Sequence, residues 1–483
     1  MTTFEKKGLT KKSENSSEWY HDVVLRAGLA DYSEVKGCMI IKPYGYAIWE
    51  NVQAVLDRWF KDDGVQNAYF PLLIPLSYLQ KEKEHLAGFS PELAVVTHAG
   101  GEELAEPYVI RPTSETIMYK TFADWIQSYR DLPLKINQWC NVMRWEKRTY
   151  PFIRTSEFLW QEGHTVHQNE EDAIEMTLKA LAWYKKFYEE HFAISVYAGV
   201  KSSAEKFAGA HKTYSIEMVI PDGKALQAAT SHHLGNNFAK VFDINFLDES
   251  GNKILPHQTS WGLSTRAIGG LILSHGDDSG LIMPPKIAPY QVVILAIGGS
   301  DEKEKAVTEH VKDLSQQLKS ADIRVIVDAN FKHSMGYRIN EWELKGVPLR
   351  LEIGSKEIDK QEVTYIRRDS FEKGNFSLGN LTSEVTNLLE KVQADLWARS
   401  EQNKQQLTVD VENYDEFKKV IENRRSFIRA PWCEDAACEA KIKEETKATS
   451  RILELERIDS DEDGSCIACG KPSKHHWLFA QAY

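Results

Sequence analysis

The sequence contains no run of about 20 apolar residues, the length a helix needs to cross a bilayer. Its polar start, M-T-T-F-E-K-K-G-L-T-K-K-S-E-N-S-S-E, lacks the apolar core of a signal peptide. Together these features predict a cytoplasmic protein. Cysteine is scarce as well: six in 483 residues, too few for a disulfide framework. Cys38 and Cys140 read as plain thiols, Cys140 as a small buried filler in an apolar-rich strand. Positive charge is in deficit, with 59 Lys and Arg against 71 Asp and Glu, a net charge of −12 and a pI near 5.8. That excludes indiscriminate nucleic-acid binding, which relies on a broadly positive face, and leaves room for local basic patches.

A chain of 55.2 kDa with 42% hydrophobic residues has material for about three domains with real cores. In the first block, 1–285, helical and β-rich stretches do not alternate regularly, which predicts an α+β domain with an antiparallel sheet flanked by helices. Within it, Tyr44 to Asp63 places Ile48, Val52, Leu56, Trp59 and Phe60 on one helical stripe. Gly64 stops that helix, and N-A-Y-F-P-L-L-I-P follows as a strand whose Pro71 cannot donate to a ladder. T-S-E-T-I-M-Y-K-T-F-A-D-W-I-Q-S-Y and N-E-E-D-A-I-E-M-T-L-K-A-L-A-W-Y-K-K-F-Y-E-E-H read as helices with capping residues or acids in their first turns. Loops are expected from Leu79 to Glu106 and from Lys147 to Pro151. The three prolines of M-P-P-K-I-A-P, Met283 to Pro289, mark a linker.

Beyond it the rhythm changes to strands alternating with helices over 286–402, a compact α/β unit with a mixed sheet. Its last helix is expected near Ser383 to Arg399. The remainder, 403–483, is charged, poor in long apolar runs, and needs a staple. Cys433 and Cys438, with Cys466 and Cys469, supply four thiols in two close pairs, the ligand set of a tetrahedral structural Zn²⁺. His475 and His476 are candidate competitors, read as surface residues.

The most telling segment is M-R-W-E-K-R-T-Y-P-F-I-R-T-S-E-F-L-W-Q-E, from Met143 to Glu162. Residues two apart on a strand share a face, so Arg144 and Glu146 enter one cleft. A planar guanidinium grips phosphate oxygens, Glu146 can accept from a base or ribose, and Phe158 offers a flat apolar face to an adenine ring. Alone, Arg-x-Glu is an ordinary surface ion pair; the continuation through Arg154, Phe158 and Glu162 points instead to a nucleotide.

This segment resembles motif 2 of the class II aminoacyl-tRNA synthetases, with Met143 where that family usually has Phe. The helix and strand ending near Pro71 look like motif 1, which in the family builds a homodimer interface. W-G-L-S-T-R-A-I-G-G-L-I-L-S-H-G, from Trp261, looks like motif 3 with Arg266 as its arginine. R-P-T-S-E-T-I-M-Y from Arg111, N-Q-W-C-N-V-M-R-W-E from Asn137, E-F-L-W-Q-E-G-H from Glu157 and A-T-S-H-H-L-G from Ala229 are similar to the prolyl branch of that class, in its archaeal and eukaryotic-cytoplasmic type. The resemblance runs from about Glu18 to Tyr483. It implies an antiparallel class II catalytic domain, an α/β anticodon-binding domain and a zinc-binding C-terminal domain.

The implied reaction joins L-proline to ATP as prolyl-adenylate and then to the 3′ end of tRNA(Pro). Arg144 and Arg266 would be its catalytic cations. Arg144 would hold the α-phosphate and the substrate carboxylate, Arg154 and Arg266 the outer phosphates, Glu146 the adenine amino group and Phe158 one adenine face. Gln227, Thr230 and Ser264 would line the ATP side, with Mg²⁺ sharing the phosphate charge. Thr113 and Glu115 would receive the two N–H groups of the imino acid, Trp160, His164 and His232 would wall its ring, and Glu162 would support them. Singly, Thr113 and Glu115 read as helix-capping residues, the histidines as core or surface groups, and Gln227 as a structural hydrogen-bonding group.

Glu343, Lys345 and Arg350, near Arg367 and Arg368, are the candidates for anticodon bases and phosphates. The C-terminal Tyr483 would reach toward the active site, as in similar chains. Glu162 and Thr259 are too close for an inserted editing domain. Selection against alanine by a missing methylene is limited to roughly 10–200-fold, so misacylated product would be tolerated or cleared elsewhere. Two other readings remain. A threonyl-type enzyme would need zinc-liganding Cys and His in its pocket, and Cys140 has no such partners in the sequence. A non-catalytic paralogue should have lost Arg144, Glu146, Phe158 or Arg266. A class I enzyme would carry H-I-G-H and K-M-S-K-S sequences, which are absent.

Overall fold

The computed structural model describes residues 9–79, 93–460 and 464–483. The first eight residues of the polar start lie outside these, as do residues 80–92 of the expected Leu79–Glu106 loop. The rest of that loop is a hairpin, Val95–Ala99 against Glu102–Ile110.

Pro43, whose missing N–H costs nothing in a first turn, opens the helix Pro43–Asp62. Its stripe is buried as the spacing predicts: Ile48, Val52, Leu56 and Phe60 are at most 1% exposed, and Trp59 packs at the margin. The strand expected through Pro71 is shorter than predicted. Only Gln66–Asn67 pairs with the main sheet, and Leu73–Pro75 pairs instead with Glu102–Ile110. Pro71 lies between the two, where its missing donor interrupts no ladder.

The main sheet has eleven strands. At its centre, Val196–Val200, Lys212–Val219, Ala225–Gly235, His257–Ser264, Glu157–His167 and Leu134–Met143 run antiparallel in that order. The helix Glu170–Glu190, capped by the Asn169 side chain, covers one face with Tyr184, Phe187 and Tyr188. Between motifs 2 and 3 the described chain forms these strands, this helix, the short helix Asn237–Phe242, the small hairpin of Phe246–Leu247 and Lys253–Ile254, and short connections, with no inserted domain.

The C-terminal segment does not stand apart. Thr449–Glu454 pairs with Val196–Val200, and His475–Ala480, Phe427–Trp432 and Thr408–Asp410 extend the same sheet. Beneath that seam a buried triad joins the two parts: Glu217 accepts from Lys201 at 2.7 Å and from Arg451 at 2.7 Å. Burial alone would raise the Glu217 pKa, but Arg451 and Lys201 pull it down to about 2.

The α/β unit carries the strand order Val325–Asp328, Val292–Ala296, Leu349–Ile353, Glu362–Arg367, Lys373–Ser377. The first three are parallel and the last two antiparallel, the expected mixed sheet. Its last helix is longer than the sequence reading, Leu381–Gln406, so residue 402 falls inside it. The proline-rich linker is buried rather than loose: Ile287 and Ala288 are fully covered, and Arg324 donates to the carbonyls of Ala288 at 2.8 Å and Pro285 at 2.7 Å.

Candidate active site

Two cavities meet at one side chain. The larger, about 260 Å³, is lined by Thr113, Glu115, Arg144, Trp160, Glu162, His164, Gln227, Thr230 and His232, together with Glu205, Phe207, Thr213, Ser260, Trp261 and Gly262. The smaller, about 70 Å³, is lined by Arg144, Glu146, Phe152, Ile153, Arg154, Thr155, Phe158, Ser264 and Arg266. Every residue expected on the imino-acid side falls in the first, and every one expected on the phosphate and adenine side except Gln227 and Thr230 falls in the second. Arg144 alone lines both.

Arg144 is held by its Nε, which donates to the Pro112 carbonyl at 2.9 Å, and it stacks over the rings of Phe158 and Trp160 at 5.5 and 5.4 Å. The side chain is exposed into the cavities but crowded by protein. That desolvation pulls its pKa below the ordinary arginine value against the attraction of Glu115, Glu162 and Glu146. Arg266 donates from Nε to the Ile153 carbonyl at 2.9 Å, and its pKa is lowered by burial and by the neighbouring Arg144 and Arg154. Three guanidiniums forced together in this way make a site that an anion relieves.

At the floor of the larger cavity Glu162 is 2% exposed. One carboxylate oxygen accepts from Ser114 Oγ and from Gln138 Nε2 at 3.0 Å; the other faces His164 Nε2 at 3.2 Å. Burial would raise the Glu162 pKa, yet His164, Ser114 and Gln138 hold it below the usual carboxylate value; burial would lower that of His164, yet Glu162 and Glu115 hold it up. His232 differs, pushed down to about 3 by burial and His164, and is neutral. Thr113 Oγ1 donates to Glu115, while Ser114 makes no side-chain cap of the helix Glu115–Trp125. The capping expected of T-S-E is therefore absent, because these hydroxyls are committed to buried carboxylates instead.

Cys140 is half-buried rather than a core filler. Its Sγ accepts from Trp160 Nε1 at 3.3 Å and lies 3.5 Å from Glu162, and burial and Glu162 push the thiol up to about 12. No second cysteine joins it, so the pocket has no thiol–imidazole metal set among the described residues.

Sequence reasoning missed Glu205 and Phe207. They sit on the connection before Lys212–Val219, and nothing local marks that segment; it is held by the catalytic part, where Phe207 N–H donates to Thr213 Oγ1 at 2.9 Å and Asn237 Nδ2 to the Gly209 carbonyl at 2.9 Å, and also by the C-terminal part. Glu439 Oε1 accepts from Ser202 Oγ at 2.9 Å and from Ser450 Oγ, and Lys443 lies 3.7 Å from Glu205. Tyr483 is pinned nearby: its N–H donates to Ala225, its hydroxyl to Asp222 at 3.1 Å, and its terminal oxygen accepts from Arg154 at 3.5 Å. Beyond Arg154 opens a cavity of about 490 Å³ with Arg148, Lys224, Arg425 and Tyr483 in its walls.

The anticodon candidates are placed less simply. Arg350 pairs with Glu343 at 2.6 Å and Glu352 at 3.1 Å, and Lys345 pairs with Glu341 at 2.9 Å. Arg367 and Arg368, expected to hold phosphates, are 1% and 3% exposed. Arg367 is bound to Asp369, Glu372 and Asp395, and Arg368 is bidentate on Asp277 of the first block at 2.8 and 2.6 Å. Their donors join parts of the fold and are unavailable to RNA.

Cys433, Cys438, Cys466 and Cys469 converge, with their sulfur atoms all within 4.8 Å and Cys433 3.7 Å from both Cys438 and Cys469. A tetrahedron of Zn–S bonds near 2.3 Å has edges of about 3.8 Å, so the four thiols fit zinc. His475 is engaged with Glu434 at 2.8 Å and is not in the cluster.

An antiparallel sheet backed by helices, an arginine-rich nucleotide cleft opening on a small carboxylate-floored pocket, and an appended mixed α/β unit define a class II aminoacyl-tRNA synthetase. The tRNA synthetase class II core domain (G, H, P, S and T) matches residues 97–275, an anticodon binding domain matches 291–388, and the prolyl-tRNA synthetase C-terminal domain matches 414–483. The chain is 49% identical over 477 residues to a proline–tRNA ligase of Acetoanaerobium sticklandii, covering 99% of this chain and 98% of that one. It is 50% identical over 479 residues to the enzyme of Natranaerobius thermophilus, covering 99% and 98%, and 47% identical to proline–tRNA ligase 2 of Bacillus cereus over the whole of both chains. The chain belongs to the prolyl-tRNA synthetase family. Enzymes of this class use ATP and Mg²⁺. Among the described residues no helix is long and apolar enough to cross a membrane.

Proposed function

We propose that the chain activates L-proline with ATP to prolyl-adenylate and transfers the prolyl group to the 3′ end of tRNA(Pro) in the cytoplasm. The observation that carries the residue roles is Arg144 in the wall of both cavities. In the first step the proline carboxylate attacks the α-phosphate and pyrophosphate leaves. In the second, the terminal ribose hydroxyl attacks the acyl carbon and AMP leaves. Both steps build negative charge on oxygen, so fixed cations suffice without a covalent nucleophile.

Arg144 bridges the proline carboxylate and the α-phosphate, Arg154 and Arg266 take the outer phosphates, Glu146 the adenine amino group, and Phe158 an adenine face. Gln227, Thr230 and Ser264 complete the nucleotide side. Thr113 and Glu115 accept from the imino N–H groups; Trp160, His164 and His232 enclose the ring over Glu162. Mg²⁺ shares the triphosphate charge. The cations around the cavity beyond Arg154 suit an incoming tRNA end. Glu343, Lys345 and Arg350 are the anticodon-facing candidates. The four C-terminal cysteines hold a structural Zn²⁺, and motif 1 forms a homodimer interface.

Domain limits near 285 and 402 accord with the separate family matches, although the helix Leu381–Gln406 runs across the second and the catalytic sheet takes in strands of the third part. The C-terminal match and the lack of an insertion favour the archaeal and eukaryotic-cytoplasmic type, in a chain whose relatives named above are bacterial. The test is ATP–pyrophosphate exchange with all twenty amino acids. Proline should stand alone, or far ahead of cysteine and alanine, and Arg144→Ala should lower its rate at least about 10²–10³-fold while the protein stays folded. Near-native exchange in that variant would remove the assignment.

A further inference from the structure

Away from both cavities, Glu170, His211 and His233 bring a carboxylate and two imidazoles together. Glu170 Oε1 lies 3.7 Å from His233 Nε2 and 3.9 Å from His211 Nδ1, and the three ligand atoms are all within 4.8 Å of one another. These separations are too long for hydrogen bonds. His233 is the decisive member: it is 3% exposed, and its buried Nε2 has no hydrogen-bond partner among the described residues. A buried ring nitrogen left without a partner is costly and rare in folded proteins.

We propose that Glu170, His211 and His233 form a second metal site, for a first-row divalent ion of the zinc type, distinct from the four-cysteine cluster. The donors are two imidazoles and one carboxylate without thiol, a borderline set suited to Zn²⁺ or Co²⁺ with water completing the shell. Metal–ligand bonds of about 2.0–2.2 Å need ligand atoms about 3.3–3.6 Å apart, so the site must close slightly on binding. Glu170 and His211 are exposed and supply that movement, while His233 is fixed in its strand. Burial, with His211 beside it, pushes the His233 imidazole down to about 4, which leaves it neutral with a lone pair to donate.

The local backbone favours the cluster. His211 N–H donates to the His233 carbonyl at 2.8 Å, holding the two strands together at this end. Gly235, at φ +59°, lies against the His211 ring; a Cβ there would sit 2.2 Å from Cε1 and displace it. Lys212 and His257 add positive charge near His233, so affinity rests on ligation more than on the local field. Alternation along Ala225–Gly235 separates this site from the reaction. Thr230 and His232 line the cavity, whereas Ser231, whose hydroxyl donates to Thr177 of the Glu170–Glu190 helix, and His233 face the other way. An ion bound here would clip the start of that helix to the end of the sheet.

The test uses the untagged full-length protein, first given a single equivalent of Zn²⁺, which the four thiols take in preference, and then titrated with Co²⁺. One further equivalent should bind, giving d–d absorption of nitrogen and oxygen ligation without thiolate charge transfer. His211→Ala and Glu170→Gln should each weaken it about tenfold or more, with proline-dependent exchange unchanged. Both are exposed positions, so the result does not depend on a buried substitution folding. Absence of a further equivalent, or affinity unaltered in both variants, overturns the site.

Discussion

Glu162 and His164 show how burial can be turned into a charge pair. His164 is held above its ordinary value of 6.5, so its contribution is present below that value and is lost as pH rises through the raised pKa; Glu162 is held below 4.5, so its contribution is present above 4.5 and is lost as pH falls through the lowered pKa. The pair is therefore complete between about 4.5 and 6.5 and weakens on either side. Urea denaturation across pH 6 to 9 should show stability declining as His164 deprotonates, and Glu162→Gln should flatten that decline. A second residue-level expectation concerns Gly163, where a Cβ would lie 2.1 Å from the buried Trp261 ring. Gly163→Ala should cost at least about 1–3 kcal/mol in the same measurement, since neither the strand nor the indole has room to move. The motif 2 members of the cleft were legible in sequence, because that motif places its arginines, Glu146 and Phe158 at fixed local spacing. Gly163 was not singled out, because the reason for it lies across the sheet in Trp261.

The segment 201–210 is the element whose position matters most and whose sequence says least. It delivers Glu205 and Phe207 to the larger cavity, and part of its anchorage comes from Glu439 and Lys443 on the helix Ala436–Thr446, which also carries Cys438. Glu439→Gln keeps the shape but weakens charge-assisted acceptance from Ser202 and Ser450, and should raise the KM for proline several-fold with a smaller change in kcat; steady-state exchange kinetics would separate the two. The neighbouring triad is stiffer. Glu217→Gln leaves Lys201 and Arg451 buried without a counter-charge and should cost about 3–5 kcal/mol, seen as a lower urea midpoint. The helices Pro43–Asp62 and Glu170–Glu190 were predicted nearly to their ends because a periodic apolar face is a local pattern, whereas the ends of Glu115–Trp125 and Leu381–Gln406 were not. The strand through Pro71, the capping read into T-S-E, and the role of Arg367 and Arg368 were misjudged, largely because they depend on partners distant in the chain, as Ser114 does on Glu162.

Across the whole molecule, the C-terminal part is continuous with the catalytic sheet, so loss of the zinc proposed for its four thiols should be felt well beyond the cysteines. Cys433→Ser with Cys469→Ser should abolish zinc in metal analysis and lower the melting temperature, and proline activation should fall in parallel. Activity intact in a zinc-free protein would show that the sheet holds without the staple. The sequence by itself determined the class of fold, the order of the three parts, most of the side chains that line the two cavities and the four clustered thiols, since periodicity, motif spacing and ligand pairs are properties of short stretches. Only the tertiary structure decided that one arginine serves two cavities, that the linker is buried, that two arginines read as RNA-facing instead hold parts of the fold together, and that the last seventy residues extend the catalytic sheet. Those outcomes depend on contacts between segments hundreds of residues apart, where burial and pairing energies are settled by packing and leave no local trace.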